Sequence, residues 1–84
     1  MNLKYIITDH GEVAIGDVNS HKNLIDYVKG NAISGGYCEV LNWEWILWGS
    51  SNSLKVSVGK YDVQTLNSCK YARSNKKVIV AKYN

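Results

Sequence analysis

"AISGGYCEVLNWEWILWGSS", residues 32–51, contains all three tryptophans of the chain: Trp43, Trp45 and Trp48. Tyr37, Cys38 and Val40 are strand-like, Asn42 helps the chain turn, and residues 43–48 read as the next strand. Odd positions of that strand carry Trp43, Trp45 and Leu47; even positions carry Glu44, Ile46 and Trp48. Large apolar side chains therefore leave both faces. In a two-layer domain one sheet face meets helices and the other meets water. A strand apolar on both faces then needs a second cover: the C-terminal segment, a loop or another molecule. A lone ring is also tolerated in solvent. Burying one Trp-sized ring removes about 150–250 Å², worth some 4–6 kcal/mol at about 25 cal/mol/Å² before entropy. Two such rings shared across a twofold axis would hold a small dimer together. Upstream, Gly35-Gly36 either bulges the strand or lets another backbone or a ligand approach closely.

Working outward, "LKYIIT" (3–8) and "VAIGD" (13–17) read as strands joined by the turn "DHGE" (9–12), with Gly11 free to take positive φ. "SHKNLIDYVKG" (20–30) changes period. Ser20 is an N-cap, Leu24, Ile25 and Val28 share a face, and Lys29-Gly30 is a stop. After "GSSNS" (49–53), a loop or an irregular strand, "LKVSV" (54–58) alternates as a strand. Asp62 caps a second helix through about Arg73, with Val63, Leu66, Cys69 and Ala72 on its face. "KKVIVAKY" (76–83) is a final strand. The order ββαβββαβ lacks strict strand–helix alternation, which argues against a doubly wound sheet. The expected fold is α+β: a mostly antiparallel sheet of about five to six strands with one or two short helices on one face.

Eighty-four residues make one domain, 1–84. Hydrophobic content is 45%, Phe and Pro are absent, and Trp and Tyr supply every aromatic ring. Those two ring types favour half-wet positions and interfaces. The net charge of +3 hides a gradient. Residues 1–44 hold three lysines against six acids, a net −3, and residues 45–84 hold seven Lys/Arg against Asp62 alone, a net +6. Lys70, Arg73, Lys76, Lys77 and Lys82 form an acid-free basic end, which suits an acidic protein partner or is simply a solvated face.

No chemical motif stands out. Cys38 and Cys69 are not a CxxC pair and have no His at zinc spacing; both fall in apolar segments, where free thiols are the default. His10 and His21 lack ligand or catalytic spacing. "GSSNS" is not a GxSxG elbow, Gly35-Gly36 is no dinucleotide fingerprint, and "SVGKY" lacks the first glycine of a phosphate loop because Leu54 stands there. The expectation is a non-enzyme without metal or cofactor. The N-terminal apolar run is too short for a secretion signal, and nothing approaches the roughly 18 apolar residues of a membrane span, so a cytoplasmic location without membrane association is expected. Lys70, Tyr71, Arg73, Lys76, Lys77, Lys82 and Tyr83 mix cations with stackable rings, as single-stranded nucleic-acid binders do. No RRM, KH or zinc signature accompanies them, which ranks nucleic acid below protein as a partner.

"SHKNL", "ISGGYCEV" and "WGSSNSLKVSVGKYDVQTL" together resemble a group of short uncharacterised bacterial and phage-type proteins. The resemblance rests on His21, Gly36-Tyr37, the 49–54 run and Asp62, and covers about residues 20–66. It implies a phage or mobile-element accessory protein that works by binding, and assigns no residue a role. The expectation is thus a non-catalytic interaction protein, self-associating as a homodimer. Trp43, Trp45 or Trp48 would serve as anchor and Lys70, Arg73, Lys76 and Lys77 would steer it to an acidic partner. Three alternatives stand: a small-ligand site floored by Gly35, Gly36, Tyr37 and the 49–53 loop; a single-stranded nucleic-acid binder; and an enzyme in which folding brings a hydroxyl or acid to His21 or His10.

Overall fold

The computed structural model describes the backbone of residues 3–74 and 78–83 and the side chains of 3–69 and 78–82. Lys76 and Lys77 lie outside the described residues. Among those described, the elements follow as β1 (Leu3–Thr8), β2 (Glu12–Gly16), α1 (Lys22–Ile25), β3 (Ala32–Leu41), β4 (Glu44–Trp48), β5 (Ser50–Ser51), β6 (Val56–Ser57), α2 (Asp62–Ser68), β7 (Cys69–Ser74) and β8 (Val78–Tyr83). Six strands form one sheet in the order β4-β3-β1-β2-β8-β7. Every neighbouring pair is antiparallel. β5 and β6 make a separate two-stranded ribbon. The expected α+β class with an antiparallel sheet is what the chain forms.

The helices lie on opposite faces of that sheet, not on one as expected. The strand register decides this. Tyr5 and Ile7 stand opposite Ile15 and Val13, and with Cys38 and Ala81 they pack around Leu66 of α2. Ile6 points the other way, opposite Ala14, and joins Val78, Val80 and Leu24 of α1. The cause is in the central strands. "YII" and "VAI" are apolar without a break, and a strand apolar on both faces must be covered on both. Burying Leu24 and Leu66, one from each helix, stabilises each layer by about 1.5–3 kcal/mol.

The predicted helix 20–30 shrinks to the single turn Lys22–Ile25. Around it the backbone bonds are i→i+3: Leu24 N–H to His21 O, and Tyr27 N–H to Leu24 O. Asn23 and Asp26 favour turns over helix interiors, which keeps this segment in tight turns. The second predicted helix ends at Ser68. Residues Cys69–Ser74 are instead strand β7, paired with β8 and shifted in register between Tyr71 and Arg73. Thr65 and Ser68 turn their hydroxyls back to the carbonyls of Tyr61 and Gln64, a habit of residues that extend helices poorly.

β4 pairs only with residues 37–41 of β3. The chain from 49 to 58 packs beside the rest of that strand, through β5 and β6. It passes round the sheet edge, because Leu54 packs with the α1-side core and Val58 with the α2-side core. This explains the double glycine. A Cβ on Gly36 would lie 2.6 Å from Trp48 O and 2.9 Å from Val58 Cγ2, and one on Gly35 would lie 2.7 Å from Tyr5 O. Of the two readings of that pair, close approach of backbone is the one realised.

Candidate functional site

The three tryptophans occupy three different environments. β3 and β4 are joined by Asn42 and Trp43 alone, at φ 52° and 67°. Positive φ at both loop positions marks a type I′ turn, whose second position favours Gly. Trp43 is therefore a turn residue and not the first residue of the strand. Its ring is 97% exposed. Trp45 is half-buried against the α2-side core beside Leu47. Trp48 faces the α1 side, stacked on Tyr37 at 6.0 Å between centroids and 22° between planes, and remains 37% exposed. Rings do leave both faces of β4, and the chain's own layers take up most of two of them. Val40 and Leu41, one on either side of the hairpin, and Ile46 are exposed beside Trp43. The tip is thus an apolar projection whose charges are the carboxylates of Glu39 and Glu44. Val40, Leu41 and Ile46 are not among the anchors expected from the sequence. The signal was "LNWE", a two-residue Asn-x loop between strands with an indole where glycine is favoured.

The strand that carries the predicted anchors and the strand that carries two of the predicted cations are not neighbours in the sheet. β4 is one edge of the sheet and β7, which carries Lys70 and Arg73 in its sequence, is the other. Five interstrand steps of about 4.8 Å, roughly 24 Å measured along the sheet, lie between them. The cause is that β8 enters beside β2, carrying β7 to the far side.

Behind Trp48 lies a buried imidazole. Gly36 O can only accept, so His21 Nε2–H is the donor in their 2.7 Å hydrogen bond. The ring meets Tyr37 edge-on at 5.4 Å. Lys4 Nζ stands 5.5 Å from the Tyr37 centroid and donates to Val18 O. His21 is 4% exposed. Burial lowers its pKa first, the Gly36 carbonyl acts against that, and the Lys4 charge lowers it further. The unfolded chain therefore takes up a proton first on acidification. The contribution of neutral His21 is whole above about 6.5, the ordinary imidazole value, and is lost as pH falls below it toward the folded-state pKa. His21→Gln keeps an N–H for Gly36 O and has no such titration. Denaturation midpoints measured from about pH 7.5 to about pH 5 should fall more steeply for the wild type than for this variant.

On the opposite face sits a buried carboxylate. Asp62, 5% exposed, accepts from Tyr5 OH at 2.6 Å, Ser34 Oγ at 2.9 Å and Gly59 N–H at 2.8 Å. It was expected to cap α2 and instead ties the start of that helix to β1 and β3. The Tyr5 hydroxyl is pushed far above the usual phenol range, by burial first and then by Asp62. Cys38, a free thiol in the same core, is pushed up to about 12 by burial; Cys69 is free as well.

Among the described residues no three His, Cys, Asp or Glu side chains are grouped to hold a metal ion, and no helix is long and apolar enough to cross a membrane. The ligand floor expected at Gly35-Gly36 is filled by the chain's own backbone. An open cleft of about 290 Å³ lies over the 49–53 loop, lined by Ser50, Ser51, Asn52, Lys55, Val56 and Ser57. A larger one of about 430 Å³ lies under α1, between Lys22, Ile25, Ala32 and Leu54. His10 is exposed at its turn, and Ser20, Ser51 and Ser53 hydrogen-bond to one another rather than to an imidazole. Against protein-family models, curated proteins and solved structures alike, the chain has no match.

Proposed function

We propose that this protein acts by association and not by catalysis, and that the β3–β4 hairpin tip is its contact element. One observation carries the reading: Trp43 is 97% exposed at φ 67°, in a turn position where glycine is favoured. The left-handed conformation costs a side-chain-bearing residue about 1–2 kcal/mol. A large ring held there, with no packing inside the fold, serves folding poorly and serves contact well. Trp is also the side chain most enriched at the energetic centres of protein interfaces. Val40 and Leu41 extend the apolar surface around it. Lys70 and Arg73, at the opposite sheet edge, support an acidic partner only as a separate contact. The accessory role implied by the resemblance to phage-type proteins is of the same kind, since such proteins work by binding.

Trp43→Gly separates binding from folding. Relief of the left-handed strain outweighs the roughly 0.4–1 kcal/mol of unfolded-chain freedom that glycine adds. The variant should be no less stable than the wild type, and up to about 1 kcal/mol more stable in denaturant titrations. Proteins retained from a lysate by the immobilised wild type should be lost with Trp43→Gly and kept with Lys70→Glu/Arg73→Glu. Retention unchanged by Trp43→Gly, or lost only on charge reversal, would overturn the reading in favour of the basic strand.

A further inference from the structure

Resting on that reading, we propose that the first partner of the hairpin is a second copy of this chain, joined edge to edge through β4. The backbone sets the geometry. In a two-residue type I′ hairpin the residues flanking the loop, Leu41 and Glu44, form a hydrogen-bonded pair. Alternation along the ladder then turns the N–H and C=O of Glu44, Ile46 and Trp48 toward β3. Those of Trp45 and Leu47 point outward, where, among the described residues, β4 has no neighbouring strand in the sheet. These outward groups are complementary to themselves. An antiparallel copy with Ile46 on the twofold axis pairs Trp45 with Leu47 of the second copy, and Leu47 with its Trp45, satisfying every outward group of the two residues.

The side chains agree with this arrangement. Ile46, 39% exposed, would meet its own counterpart in a close non-hydrogen-bonded pair. Glu44, the only charge on β4, would face Trp48 of the second copy and not another carboxylate. Trp43 would reach Gly49 of the second copy, where no side chain stands in its way.

The two sheet edges also differ as a functional edge and a protected one should. β7 carries a register shift between Tyr71 and Arg73, and its sequence holds Lys70 and Arg73. Irregularity and cations are the devices that keep an edge from pairing. β4 has an unbroken register with β3, no Lys, no Arg and no Pro. A foreign strand would need only a free edge. The twofold match of hydrogen bonds, of Ile46 with itself and of Glu44 with Trp48 favours a second copy.

Sedimentation equilibrium of the wild type, Ile46→Lys, Ile46→Glu and an equimolar mixture of the two variants tests this. The wild type should be a concentration-dependent dimer. Each variant alone places like charges together on the axis, and should weaken the dimer more than about tenfold with unchanged circular dichroism. The mixture should regain a dimer containing one copy of each, an outcome that requires position 46 to face itself. A wild type monomeric throughout the micromolar range overturns the inference, as does a dimer indifferent to both variants, or a mixture that stays monomeric. Partner capture that still depends on Trp43 in any of those cases leaves the association reading standing. Failure of that reading shows instead as capture indifferent to Trp43→Gly.

Discussion

Asp62→Ala should remove about 3–5 kcal/mol of folding stability, more than any surface substitution in this chain. The variant leaves two buried hydroxyls, Tyr5 OH and Ser34 Oγ, without their acceptor. Each unsatisfied buried group costs about 1–3 kcal/mol. The Gly59 N–H is only partly buried and recovers part of its loss from water. Tyr5→Phe removes one donor from a charged acceptor and should cost about 1.5–3 kcal/mol. The double variant should lose clearly less than the two single losses combined, because the Tyr5 hydroxyl stranded by the first change is absent. Urea titrations read all three, with a shifted midpoint and an unchanged slope. Asp62→Ala within about 1 kcal/mol of the wild type would show that the carboxylate does not hold α2 to the sheet.

Gly36→Ala should cost about 1–3 kcal/mol, and Gly36→Val more. The new Cβ would meet the Trp48 carbonyl at 2.6 Å, and a backbone oxygen has no rotamer to retreat into. Relief requires β4 or β3 to move. Movement of β3 also carries off the Gly36 carbonyl that anchors His21. Thermal unfolding reads the loss. Were Gly36 the floor of a ligand site, alanine would fit without loss of stability and affect only binding, so an unchanged melting temperature would revive that alternative.

Much of the sheet could be read from residue types alone, because its strands are rich in β-branched and aromatic residues and its turns carry Gly11 and Asn42. Strand β7 could not. "CKYARS" contains Lys, Ala and Arg, all good helix formers, and its strand state comes from pairing with β8, a tertiary effect that overrides local preference. The placement of the helices on both faces was present in "YII" and "VAI", unbroken apolar runs that an alternating reading passes over. The Asp62 centre was out of reach. Tyr5 and Ser34 lie 57 and 28 residues from it in the chain, and no local pattern links them. Trp43 reads as a strand position from its parity and is a turn residue. Parity arguments assume an extended backbone, and Asn42 had already turned it.

The three indoles also give the molecule an optical readout that needs no label. Trp43 sits in water, Trp45 at the edge of the α2-side core and Trp48 against another aromatic ring. Fluorescence from the first should shift to the blue when a partner covers the hairpin and should hardly respond to unfolding, since water surrounds it in both states. Emission from the second should shift to the red on unfolding. With Trp43 replaced by glycine, the remaining signal follows the fold and pairing along β4; with Trp45 and Trp48 replaced by phenylalanine, it follows contact at the tip.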